Sequence, residues 1–192
     1  MRLLFAAALL LASTASAQTA PAALPPMPPL SRLAPADSLA LVARFATPDS
    51  VIATLYRVIS GPAGQKRDWD LFRRLFLSQG RLVGTGRDAQ GSVRYRAMTP
   101  EDYVQRSGPM LEERGFFENE THRTTDQFGH VYHAFSTYES RGTPDAAPFA
   151  RGINSIQLLR TSGRWWVLSV FWGDEQSTGE PVPQRYSHSN TP

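Results

Sequence analysis

The chain has 192 residues, 20 of them basic and 17 acidic, a net charge of +3 and no cysteine. Disulfides, thiolate nucleophiles, cysteine-held zinc and a lipid-modified cysteine anchor are therefore excluded. Nineteen of the basic residues are arginine, with Lys66 alone, and they stand singly among acids. With neither a basic stripe nor a recognised motif, nucleic acid is not an expected partner.

Residues 1–17 read as a secretory signal peptide. Arg2 gives the positive start, residues 3–11 the apolar stretch, and Ala15-Ser16-Ala17 a small-residue site with cleavage expected after Ala17. An apolar run this short does not cross roughly 30 Å of hydrocarbon. The mature chain is thus expected in the periplasm or secreted, without a membrane span. Residues 18–35 carry Pro21, Pro25, Pro26, Pro28, Pro29 and Pro35 among Ala and Leu, the composition of an extended, disordered linker. Residues 36–175 suffice for one domain with its own core. Residues 176–192 are polar and proline-punctuated, and read as a disordered tail.

Thr47-Pro48-Asp49-Ser50 predicts a helix start, with Thr as N-cap and Pro in the first turn. Ile52, Leu55, Tyr56 and Ile59 follow at helical spacing on one face, and residues 61–64 end the helix. Asp68 caps a second helix that turns Trp69, Phe72, Leu75 and Phe76 inward. Strands are predicted at 81–85 and 92–98. Thr99-Pro100 starts a third helix, which Ser107-Gly108-Pro109 is expected to break. Long strands follow at 116–125, 130–141, 150–160 and 164–174.

The last two strands predict a hairpin closed by Thr161-Ser162-Gly163. That loop pairs Leu158 with Trp166, Ile156 with Leu168 and Asn154 with Val170, so Ile156, Leu158, Trp166, Leu168, Val170 and Trp172 face a core. Asn154 is the polar exception among them and needs a partner or a ligand. On the strand 116–125, period-two alternation puts Glu118, Glu120 and His122 on one face. If Asp126-Gln127-Phe128-Gly129 is a four-residue loop, His122 lies across from His133. That pair is a candidate acid/base or metal set, or else a feature of the sheet's solvent or dimer face. Asn119 and Tyr138 lie on the opposite face and, with Tyr56, Asn154 and Trp172, are the candidate lining of a pocket.

Residues 67–76, and Gly152-Ile153-Asn154-Ser155 leading into Gly163-Arg164-Trp165-Trp166, carry a resemblance to the nuclear transport factor 2-like (NTF2-like, SnoaL-like) superfamily. It spans about residues 47–174. The resemblance implies an α+β cone, a strongly curved antiparallel sheet packed against three helices, with homodimerisation through the outer sheet face. Ketosteroid isomerase, a member, needs a carboxylate base on the strand after the second helix, where Val83-Gly84 has none. Scytalone dehydratase, another member, uses strand histidines with Tyr and Asn or Ser, which His133 and Asn154 imitate in part. The helix-one Asp expected beside such a histidine is replaced by apolar neighbours of Tyr56.

Three readings follow. The first is an exported domain that binds a small apolar or aromatic molecule, without a cofactor or metal. The second is a lyase, isomerase or cyclase using His133 or His122 as acid/base. The third is a periplasmic protein–protein interaction module. A titratable group inside the cavity separates the second from the first.

Overall fold

The structure is a computed structural model that describes residues 42–187. The signal-peptide and proline-rich linker readings lie outside the described residues.

Helix α1 spans Pro48–Ile59, α2 Trp69–Leu75, strand β1 Phe76–Arg87, β2 Val93–Met98, helix α3 Pro100–Arg114, and strands β3 Phe117–Phe128, β4 Val131–Arg141, β5 Ala150–Thr161 and β6 Arg164–Asp174. A short helix α4, Glu175–Thr178, and a 3-10 turn at Gln184–Tyr186 close the described chain. Both predicted Thr-Pro starts form. Thr47 and Thr99 each accept from the backbone N–H three residues on, while Ser50 and Asp102 reach back to the cap N–H, so two orphan donors are satisfied at each start.

The six strands form one mixed, open sheet in the order β2-β1-β6-β5-β4-β3. The expected antiparallel sheet is corrected at one point, because β1 pairs with β6 in parallel. Strand β1 lies between its antiparallel hairpin partner β2 and the last strand, β6, whose direction it shares. The helices cover one face, where Ile52, Phe72, Leu75, Ile156, Leu158 and Val167 are fully buried.

Four local readings are revised. Helix α3 runs through Gly108 and Pro109, since a proline removes one main-chain bond and Gly108 packs closely against Trp69. The β5–β6 turn holds two residues, with Ser162 and Gly163 both at positive φ, so Leu158 faces Val167 and Arg160 faces Trp165. Trp165 and Val167 therefore point inward, not Trp166 and Leu168. A bulge at Leu168 then restores Val170 and Trp172 to the inner face, with Asn154 opposite Trp172. Finally, residues 176–187 are not a loose tail. Thr137 donates to the carbonyl of Tyr186, and the Tyr186 ring meets Phe135 edge-on, so this segment lies on the outer face that was expected to form a dimer surface.

Arg67 pins the loops under the cavity. It is buried, and its guanidinium donates to the carbonyls of Ile59, Gly61, Pro62, Gln65 and Leu111, while its own N–H donates to Glu112. One cation thereby satisfies the carboxyl end of α1, the following loop and α3 together. Among the described residues no helix is long and apolar enough to cross a membrane.

Candidate active site

A cavity of about 240 Å³ opens between the helices and the inner face of the sheet. Its apolar wall includes Leu55, Phe72, Leu82, Leu111, Val170 and Trp172, and Met110 and Phe149 stand half-exposed or more among its lining residues. Its polar side is built from Tyr56, Tyr103, Glu118, Tyr138, Ser140 and Asn154.

Of the residues singled out from sequence, Tyr56, Tyr138, Asn154 and Trp172 line this cavity. Asn119 does not. It is exposed and sits opposite Glu139 on the outer face. The part of strand β3 before Thr121 is turned over relative to expectation, so Glu118 and Glu120, read as outward, point in and pair with Ser140 and Tyr138. A bulge at Thr121 then shifts the register, leaving Arg123 inward beside Ser136 and His122 outward opposite Thr137.

The histidines are outside the cavity, which corrects their reading as acid/base candidates. The β3–β4 turn has two residues, Gly129 at positive φ and His130, not four. His133 consequently faces Asp126 rather than His122, and its Nε2 lies 2.9 Å from the Ser155 hydroxyl. His122 Nε2 is buried on the outer face without a hydrogen-bond partner. Among the described residues no group of three or more His, Cys, Asp or Glu side chains is placed to hold a metal ion.

The chemistry of the cavity centres on Glu118, which sequence reasoning had put on the wrong face. Its Oε2 accepts from the Ser140 hydroxyl at 3.0 Å and its Oε1 from Asn154 Nδ2 at 3.3 Å. Among the described residues no cation forms an ion pair with it. Protein surrounds the carboxyl except toward the cavity, and this desolvation pushes it up to about 7, with the two hydrogen bonds pulling the other way. Burial, and then the nearby Glu118 charge, hold the hydroxyls of Tyr56, Tyr103 and Tyr138 well above the usual phenol range. All three stay protonated near neutrality. The cavity thus sets one carboxyl poised between its two charge states among permanent hydroxyl donors.

Glu120 differs although it is only two residues away. Arg123 grips both its oxygens, with Nε at 3.0 and 2.9 Å and Nη2 at 2.6 Å, and reaches on to Asp49. Two carboxyls on one strand thus have different surroundings, Glu120 in an ion pair with Arg123 and Glu118 on the wall of the cavity.

No protein-family model matches the chain, and no curated protein does. Solved structures do. A protein of unknown function with a cystatin-like fold from Nostoc punctiforme PCC 73102 aligns at TM-score 0.51 and 14% identity, over 67% of this chain and 89% of that one. An NTF2-like protein of unknown function from Pseudomonas putida KT2440 aligns at 0.50 and 11%, over 65% and 82%. A candidate scytalone dehydratase from Novosphingobium aromaticivorans DSM 12444 aligns at 0.50 and 10%, over 75% and 91%. Helices, open mixed sheet and cavity define an α+β domain of cone type. At these identities the likeness is one of fold: the chain has the NTF2-like fold.

Proposed function

We propose that the domain takes up a small, mostly apolar molecule with one polar end, and that Glu118 moves a proton on it without a cofactor. The observation that carries this reading is an unpaired carboxyl, poised near neutrality, on the wall of an open apolar cavity. A group that only shapes a binding site has no need to titrate there, whereas general acid/base work is most efficient when it does. The chemistry that fits is removal of a proton from carbon beside a carbonyl. The carboxylate takes the proton, the C–H pair forms the new C=C bond, and the developing oxyanion is held by a tyrosine hydroxyl of the cavity. Return of that proton to another carbon completes an isomerisation. The leader-like composition of residues 1–17 supports an exported setting for the activity.

The test is solvent exchange on 2-tetralone, an enolisable bicyclic ketone, in heavy water. Proton NMR should show faster loss of the α-proton signal with the protein than without it, and not with Glu118→Gln. Equal rates for protein, variant and buffer would refute the proposal.

A further inference from the structure

The orientation of the Asn154 amide traces back to Arg123, Glu120 and Ser136, which do not line the cavity, acting through Tyr56, which does. Arg123 grips both oxygens of Glu120, and the Ser136 hydroxyl donates to Glu120. With its one proton committed there, Ser136 can only accept from Tyr56, whose oxygen lies 2.7 Å away in the buried interior. Tyr56 has then used its own proton and must accept at its oxygen, which Asn154 Nδ2 supplies at 3.1 Å. The second hydrogen of that Nδ2 goes to Glu118 at 3.3 Å. Turning the amide over would set its oxygen against the Glu118 carboxylate, reverse two hydrogen bonds and deprive Glu120 of its Ser136 donor. Among the described residues Asn154 Nδ2 has both its partners and Oδ1 has none, on a residue that lines the cavity.

We infer that the relay Arg123–Glu120–Ser136–Tyr56 makes Asn154 a fixed acceptor in the cavity, so that the site selects a ligand whose polar end is a hydroxyl, phenolic or enolic, over an ether or ketone of the same shape. The inference rests on the proposed reading that this cavity is the ligand site. The Tyr103 and Tyr138 hydroxyls rotate to give or take a proton and do not discriminate. Asn154 is held and does. Ser136, Glu120 and Arg123 are positioning residues, since they act through Tyr56 and Asn154.

The experiment is calorimetric titration of the full chain at pH 8 with 2-naphthol and with 2-methoxynaphthalene, which differ by one methyl on the oxygen. Naphthol is expected to bind about tenfold tighter, the size of one hydrogen bond denied to a buried acceptor. In the Glu118→Gln background, which removes the carboxylate that also holds Nδ2, Ser136→Ala frees Tyr56 to donate to a turned-over Asn154, and the preference should fall to within about twofold. Tyr56→Phe, which removes the same constraint without touching Ser136, should do likewise and serves if the first variant does not fold. Glu118→Gln should keep the preference, because the selecting atom belongs to Asn154. Equal affinities in the unaltered protein, or a preference that survives both relay variants, would overturn the inference while leaving the proton-transfer reading standing. Failure of both compounds to bind would overturn inference and reading together. Naphthol selectivity without exchange on 2-tetralone would support the inference and remove only the catalysis.

Discussion

Glu118→Gln should make the protein more stable at alkaline pH while removing its proton-transfer group. The carboxyl sits at about 7 in the fold against an ordinary 4.5, so between those values the folded chain binds a proton that the unfolded chain has released. A raised folded value means the associated stability is fully present below about 4.5 and is lost as the pH rises through about 7. At 1.36 kcal/mol per tenfold, the loss is roughly 3 kcal/mol at pH 8. Glutamine never ionises and escapes it. It also sets an amide N–H against the Ser140 or Asn154 donors, a pH-independent penalty of about 1–2 kcal/mol. The difference between variant and parent should thus swing by roughly 3 kcal/mol from pH 4.5 to pH 8, in favour of the variant as pH rises. Urea unfolding of both proteins across that range measures it, because groups common to both cancel. A flat difference, or a swing of opposite sign, would refute the assignment of a desolvated, unpaired carboxyl.

Gly152→Ala should unfold the domain or cost at least about 3 kcal/mol, because a Cβ there would come within 2.3 Å of the Gly173 carbonyl and 2.8 Å of the Tyr138 hydroxyl. Thermal melting reads this directly, and a variant of parental stability would contradict the packing. Arg67→Met should lose about 3 kcal/mol in urea unfolding, since it strips donors from several buried carbonyls at once. His122→Ala and His133→Ala should leave 2-naphthol affinity within about twofold, as both rings lie on the outer face. A larger fall on calorimetric titration would return a histidine to the cavity.

The helices were legible because their signals are local. Thr47-Pro48 and Thr99-Pro100 specify cap and first turn within four residues, and the apolar face of Ile52, Leu55, Tyr56 and Ile59 repeats at helical spacing. Asn154 was legible as well, since its neighbours Ile156 and Leu158 are unambiguous core. The face of β3 was not. Its residues from Phe117 to Thr125 carry no apolar alternation, so nothing along the strand says which side is buried. The Thr121 bulge then reverses the alternation halfway. The β3–β4 and β5–β6 turns were each read one or two residues too long, and a change of one residue exchanges the faces of the paired strand. The misreading of the β3–β4 turn by two residues keeps the faces, so it was the Thr121 bulge that hid Glu118. The usable signal lay in charge: Glu120 and Arg123 meet on one face only if the strand is bulged between them. The segment 176–187 was misread because its composition is polar, whereas its order comes from backbone and ring contacts with Phe135 and Thr137.

The account turns on the charge state of one side chain facing the cavity. Carbon-13 NMR of the carboxyl of Glu118, assigned by its absence in Glu118→Gln and followed from pH 3 to pH 9, measures that state directly. A midpoint near 7 is predicted. A midpoint in the ordinary carboxylate range, near 4.5, would contradict it.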